Sequence, residues 1–321
     1  MMEKFIVSTK EEGLILEKYV KKVLKDAPLS FIYKLFRKKD VKVNGHWQDR
    51  KYVLKSGDEI TVYVNKEQLE DFSNQAVIKS NDAISKNIIY EDANILLINK
   101  PRGLLVQPDA SNEMSLDKMV LEYLSFKNEY NSNDTVFTPG PVHRLDRNTS
   151  GIIAFGKNTR VLQYLSEAFK NHDVVGKHYY ALVVGNVEED GMVDKPLYKG
   201  TNNKVYVSDK KEAKPAQTIY HVLERYENYT LLDIILLTGR THQIRVHMAS
   251  INHPVVGDEK YGDFAVNELF LEKYKFKNQF LHAYELSFYD MEDPLKYLKN
   301  TNFIADLPNE MISILKDLKG E

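Results

Sequence analysis

An α+β fold is what this sequence predicts: a large domain on a mixed, mainly antiparallel sheet, preceded by a small α/β domain. Three observations carry the prediction. Strand-like runs outnumber helical ones and follow one another directly after residue 178, where a doubly wound sheet would need helices between them. The 321 residues exceed the usual size of one domain, so two hydrophobic cores are expected. Charge also divides the chain unevenly. Residues 1–65 hold 14 Lys and Arg against 9 Asp and Glu, a balance of +5; with a net charge of −2, the remaining 256 residues carry −7.

Taken in order, Phe5 to Val7 is a short apolar segment. Ile15, Leu16, Tyr19, Val20, Val23 and Leu24 then recur at helical spacing with lysines between them, which predicts an amphipathic helix. Pro28-Leu29-Ser30 stops it. Ser30 can cap a second helix, in which Phe31, Ile32, Leu35 and Phe36 face inward while Lys34, Arg37 and Lys38 face out. Val41 to Gly45 alternates like a strand entering a turn, and Glu59 to Asn65 like its partner. Residues 34–55 hold eight basic side chains, Lys39 and Lys42 among them, against Asp40 and Asp49. The first domain is thus placed at residues 1–66. The polar, aperiodic stretch 67–86 reads as a linker, and 87–321 as the body.

In the body, Ile88 to Tyr90 and Ile95 to Ile98 are strand candidates ending in the turn Lys100-Pro101-Arg102-Gly103. Residues 115–125 and 159–169 are helical by spacing, after Ser115 and after Asn158 or Thr159. Between these helices, Pro139-Gly140-Pro141 precedes His143-Arg144-Leu145-Asp146-Arg147-Asn148-Thr149-Ser150-Gly151, and the apolar run Ile152 to Phe155 follows. Two guanidinium groups around one carboxylate, followed by small polar residues, are a site composition, and Asp146 is expected on a tight loop feeding a strand. A lone loop aspartate commonly just caps its own turn. Alternating runs at 178–184, 216–223, 229–237 and 280–288 supply further strands, and Glu310 to Leu318 a terminal helix.

The absence of cysteine excludes a disulfide framework, a thiolate nucleophile and sulfur-ligated metal. No apolar run approaches membrane-spanning length, Met1 to Leu14 lacks the character of a signal peptide, and the protein is expected to be a cytoplasmic monomer. No P-loop or dinucleotide fingerprint occurs, so no nucleotide cofactor is expected. His242 and His247 stand five apart rather than four, against a zinc site. Only nine of the 44 basic residues are arginine, and five of them (Arg102, Arg144, Arg147, Arg240, Arg245) fall in the segments of unusual composition. Arginine offers a planar fork that lysine cannot imitate.

Four ordered segments, Asn99 to Gly103, His143 to Gly151, Lys177-His178-Tyr179-Tyr180-Ala181 through Gly185, and Thr238-Gly239-Arg240-Thr241-His242-Gln243-Ile244-Arg245-Val246-His247, resemble the motif set of the RluA-type pseudouridine synthases. The resemblance covers about residues 88–290. Residues 12–65 resemble the RNA-binding domain of ribosomal protein S-four, most specifically at Arg37 to Gly45. The first resemblance implies isomerisation of a uridine within RNA in a cleft across the sheet, with no cofactor. It implies that Asp146 is the essential nucleophile or acid–base group, that Arg240 pairs with it, and that Tyr179 lies on the uracil face. Arg144 would fill the space left by the flipped base. Arg144, Arg147, His143 and Arg102 are expected to contact RNA, as are Lys34, Arg37, Lys38, Lys39 and Lys42 of the first domain. Thr241, His242, Gln243 and Arg245 could reach phosphates or cap a helix. The substrate expected from residues 12–65 is large-subunit ribosomal RNA, with transfer RNA as the alternative. A non-catalytic assembly factor is opposed by intact Asp146, Tyr179 and Arg240. A glycoside hydrolase would need a second carboxylate, which these segments lack. Gln107 and Tyr289-Asp290-Met291 depart from the family pattern.

Overall fold

The computed structural model describes residues 2–7, 15–24, 27, 29–64, 84–109, 113–130, 138–200 and 204–321. The chain divides into two compact units, Met1–Ser80 and Asn81–Glu321. Most of the expected linker lies outside the described residues. Its end, Ile84, is buried in the core of the second unit, so that core begins before residue 87.

The first unit runs β1 (Met2–Ile6), α1 (Leu16–Val23), α2 (Leu29–Lys38), β2 (Val41–Val43), β3 (His46–Trp47) and β4 (Glu59–Tyr63). Its antiparallel sheet has the order β1-β4-β2-β3. The predicted partnership of β2 and β4 is present, with Val41 opposite Val62. Asn44 and Gly45 make the two-residue turn into β3 with φ of 52° and 79°, the left-handed pair that such a hairpin requires. Leu16 and Val20 of α1 and Ile32, Leu35 and Phe36 of α2 close the core over Val43 and Ile60. That burial sets the opposite face of α2, so Lys34, Arg37, Lys38 and the following Lys39 are exposed. Ser30 lies inside α2, which starts at Leu29, and its side chain is outside the described ones.

The second unit starts with β5 (Ile88–Glu91), β6 (Ile95–Lys100), α3 (Leu116–Phe126), β7 (Gly140–Pro141), β8 (Ser150–Gly156) and α4 (Thr159–Ala168). The strands β9 (Val175–Val184), β10 (Gly191–Asp194), β11 (Leu197–Lys199), β12 (Val205–Val207), β13 (Gln217–Arg225) and β14 (Tyr229–Leu236) follow, with no helix between them among the described residues. Then come α5 (Gln243–Ala249), α6 (Phe264–Tyr274), β15 (Leu281–Phe288), β16 (Thr301–Ile304) and α7 (Asn309–Lys319). The main sheet has the order β10-β13-β14-β9-β15-β8-β6-β5, with β16 on β15 and β7 on β8. Among the described residues only β8 and β15 run parallel in this sheet, which makes it mixed and mainly antiparallel as predicted. One face is covered by Leu116, Val120 and Leu124 of α3 and by Ile244 and Met248 of α5. The other is covered by Val161 and Leu165 of α4, by Phe270 of α6 and by Met311 and Ile314 of α7.

Helix α6 was not legible in the sequence. Its apolar residues go almost all round, and only Phe270 is buried, so no stripe marks it. Its cap is nonetheless orderly: Asp263 accepts a hydrogen bond from Val266 N.

The parallel crossing of β8 and β15 is set by Gly151, which has φ of 116° and lies opposite Ala283. A β-carbon there would overlap the Ala283 carbonyl. Gly151→Ala is therefore expected to lower stability by at least about 3 kcal/mol through backbone strain and displacement of β15. Denaturant titration of the purified variant checks this; an unchanged midpoint would show that the crossing adapts.

Candidate active site

The loop from His143 to Gly151 is held from several sides, which fits it to present one group accurately. The buried Lys100 donates to three carbonyl oxygens, those of Pro101 (2.9 Å), Leu104 (2.9 Å) and Arg147 (3.0 Å), tying the loop to the turn after β6. Burial lowers its pKa to about 7, against the pull of Asp146. Asn148 donates to Asn278 Oδ1 (2.8 Å), and Thr149 Oγ1 accepts from Gln279 Nε2 (3.2 Å). Ser150 Oγ lies 2.8 Å from His282 Nδ1, and His282 Nε2 lies 3.1 Å from the Ala305 carbonyl. A carbonyl can only accept, so His282 carries its proton on Nε2 and accepts the hydrogen bond of the Ser150 hydroxyl at Nδ1. Burial lowers its pKa to about 4 and keeps it neutral.

Asp146 projects from this loop into a cleft of about 1080 Å³ lined also by Arg144, Tyr179, Arg240, His242 and Arg245. That volume reaches the top of the usual small-ligand range of about 300–1,000 Å³, so a nucleoside fits with room for its neighbours. The carboxylate is 27% exposed, and its Oδ2 accepts from Arg245 Nη1 at 2.8 Å. Arg245 is buried and also grips the fully buried Asp258, through Nε to Oδ2 (2.6 Å) and Nη2 to Oδ1 (2.8 Å). Burial opposes its charge, but the bonds to Asp258 and Asp146 outweigh that and hold the guanidinium pKa above its ordinary value. Asp258 Oδ1 is fixed in turn by the backbone N–H groups of Lys260 and Tyr261. One guanidinium thus joins two carboxylates, the fork geometry that lysine cannot supply.

This corrects the expectation that Arg240 pairs with Asp146. Arg240 is exposed, its Nε donates to the Pro215 carbonyl (3.0 Å), and its backbone N–H donates to Gln243 Oε1 (3.0 Å). The Gln243 carboxamide also takes the Thr238 hydroxyl and donates to the Gln217 carbonyl, so it pins the turn that leaves Arg240 outside. Helix α5 then carries Arg245 to the carboxylate. Gln243 and Arg245 both spend their side-chain polar groups on partners inside the protein.

Tyr179 is buried on the cleft face of β9, and its hydroxyl has no hydrogen-bond partner among the described residues. Burial, and then the Asp146 charge, raise its pKa, so the hydroxyl keeps its proton. Tyr180 points to the opposite face and stacks on Tyr284 with ring centroids 3.8 Å apart, as strand alternation requires. Arg144 is exposed on the cleft and makes no hydrogen bond or ion pair among the described residues.

Three expected RNA contacts are otherwise engaged. Arg102 lies 4.2 Å from the Phe276 ring centroid and bonds to Glu310 and to the Lys277 carbonyl, so it ties α7 to the body. His143 stacks on Phe169 and accepts from Ala154 N (3.2 Å); burial, and then Lys177, lower its pKa to about 3, so it is a neutral prop of the loop. Arg147 donates to the Gly103 carbonyl (3.0 Å) and pairs with Glu113 at the rim. In the first unit, Lys34, Arg37, Lys38, Lys39 and Lys42 have no acidic partner among the described residues. Lys39 and Lys42 stand over Trp47 and Tyr63, both at 5.1 Å.

Asp258, Tyr261 and the orienting lysine Lys100 had no place in the sequence-derived site. The glycine-flanked stretch Gly257-Asp258-Glu259-Lys260-Tyr261-Gly262 carries the composition of a site loop and was the signal that could have marked the first two.

The profile of the RNA pseudouridylate synthase family matches residues 94–250. A Mycoplasma capricolum protein described as an uncharacterized RNA pseudouridine synthase is 34% identical over 95% of this chain and 98% of its own. Ribosomal large subunit pseudouridine synthase D of Escherichia coli K12 is 31% identical over 98% of this chain and 94% of its own. The structure of human RNA pseudouridylate synthase domain containing 4 superposes with a TM-score of 0.61 at 23% identity, covering 76% of this chain and 98% of that one, and shares the fold.

Proposed function

This chain belongs to the RNA pseudouridine synthase family and is an isomerase that converts uridine to pseudouridine in RNA; we propose that it acts on large-subunit ribosomal RNA, with Asp146 as the reacting carboxylate. In the reaction the N1–C1′ bond of uridine breaks, the base turns, C5 bonds to C1′, N1 takes up a proton and the C5 proton leaves. Nothing is added or lost overall. A carboxylate can serve this chemistry by carrying C1′ as an ester or by drawing a proton from the sugar, and both roles need an ionised group with an oxygen open to substrate. The observation that carries the reading is the state of Asp146: one oxygen is held by a buried arginine, and the other has no partner among the described residues and stands in the cleft.

Tyr179 offers its ring to the uracil and its retained proton as a donor. Arg144, without a hydrogen bond or ion pair among the described residues, can stack where the flipped base was. We read the first unit as an RNA-binding module, supported by Lys34, Arg37, Lys38, Lys39 and Lys42, which have no acidic partner among the described residues, and by the exposed Trp47 and Tyr63 beside Lys39 and Lys42. Among the described residues no helix is long and apolar enough to cross a membrane.

Transcripts of large-subunit ribosomal RNA and of transfer RNA carrying 5-tritiated uridine test the proposal. Tritium release from the ribosomal transcript is expected, and preference for transfer RNA would overturn the substrate. A shortened chain beginning at Asn81 should bind the ribosomal transcript more weakly and with a salt dependence shallower by about 0.7–0.9 per lost phosphate contact. Equal salt slopes for the full and shortened chains would remove the first unit from the interface.

A further inference from the structure

His242 has no part in the chemistry so far, yet its placement is specific. It caps α5 with φ of 54° and ψ of 22°, a left-handed backbone that histidine adopts at a cost of about 1 kcal/mol or more. Its two ring nitrogens meet different surroundings. Nδ1 lies 2.8 Å from the Tyr261 hydroxyl, and Nε2 lies 3.9 Å from Asp146 Oδ2. The Tyr261 oxygen already accepts from Val205 N at 2.9 Å, so the hydroxyl proton is the one available for His242. Nδ1 is then an acceptor, and the ring proton resides on Nε2, toward the carboxylate. Burial lowers the ring pKa further than Asp146 raises it, in keeping with a neutral imidazole. Arg245 Nη1 holds the same oxygen, so among the described residues two donors face Oδ2 and none faces Oδ1.

We propose that His242 is a positioning residue for the reacting carboxylate: a neutral imidazole, fixed as its Nε2–H tautomer by Tyr261, that donates to Asp146 Oδ2 beside Arg245 when substrate closes the cleft and so presents Oδ1 to the ribose or base. The proposal rests on the reading of Asp146 as the reacting group. The approach needed is about 1 Å, of the kind that catalytic hydrogen bonds make on going from the free to the bound enzyme. Tyr261 and Asp258 come from one loop, so that loop sets both donors at once.

Long-range proton–nitrogen correlation spectra of the full-length protein, with the His242 signals identified by their loss in His242→Gln, read the tautomer directly. Nε2 protonated and Nδ1 bare is expected, and a tautomer mixture should appear in Tyr261→Phe. A ring protonated at Nδ1 or at both nitrogens overturns the proposal, and so does an unchanged tautomer in Tyr261→Phe. Turnover of the ribosomal transcript supplies the second readout. His242→Asn keeps a side chain that tolerates the left-handed backbone but whose N–H falls short of the Nε2 position, and should lower kcat about ten- to thirtyfold while KM changes less than about threefold. His242→Gln restores an N–H near the Nε2 position and should recover to within about threefold of wild type. Equal losses in both variants, or an effect confined to KM, would make His242 a structural or substrate-binding residue. Failure of the Asp146 reading would show separately, as turnover in Asp146→Asn, and leaves the tautomer result untouched.

Discussion

Replacing Asp146 by asparagine is expected to reduce pseudouridine formation by at least about 10⁴-fold while leaving RNA affinity within a few-fold of wild type. The amide keeps the size of the side chain and can still meet Arg245 Nη1 with its oxygen, so the loop anchored by Lys100, Asn278, Gln279 and His282 has little cause to move. What it loses is the charge and the free lone pair on Oδ1, which both carboxylate roles require. Filter binding and single-turnover tritium release on the same preparation separate the two effects. Release near the wild-type rate in the variant removes Asp146 from the chemistry.

The second large effect is expected at Arg245. Arg245→Lys keeps a positive charge but cannot make the three bonds that join Asp258 to Asp146. Each charge-assisted hydrogen bond contributes on the order of 1.5–3 kcal/mol, so losing the one to Asp146 alone should lower kcat roughly ten- to hundredfold. Arg245→Met should go further and destabilise the fold by about 3–5 kcal/mol, because the buried Asp258 is left without its cation. Arg240→Lys is the internal control: its guanidinium bonds to a backbone carbonyl at the surface, and kcat should stay within a few-fold of wild type. A loss at Arg240→Lys exceeding that at Arg245→Lys would return the pairing to Arg240 and contradict the geometry of the cleft.

Which features were legible in the sequence follows from how local their causes are. Strand alternation over 178–184, 229–237 and 280–288 and the apolar run at 152–155 depend on neighbouring residues, and the strands β9, β14, β15 and β8 lie there. The loop around Asp146 announced itself by composition. The partner of Asp146 did not, because Arg240 and Arg245 share one ten-residue segment and the choice between them depends on where Gln243 pins the turn and how α5 rotates the next residues. Asp258 reaches the site only through Arg245, and Arg102 is committed to Glu310, 208 residues away. No local pattern encodes such pairings. The same limit hid the protonation of His143, which was expected to contact RNA and is neutral because Phe169 and the β8 backbone enclose it. Helix α6 was missed for the reverse reason, since its surface is apolar on faces that the fold leaves exposed.

The activity on ribosomal RNA and the role of Asp146 are tested together by a map of pseudouridines in the ribosomal RNA of a strain lacking this protein, compared with the same strain carrying the wild-type chain or Asp146→Asn. One or more large-subunit positions are expected to be uridine in the deletion strain, to return to pseudouridine with the wild-type chain, and to stay uridine with Asp146→Asn although that protein still binds the RNA. A large-subunit map unchanged by the deletion, or one restored by Asp146→Asn, would contradict the account.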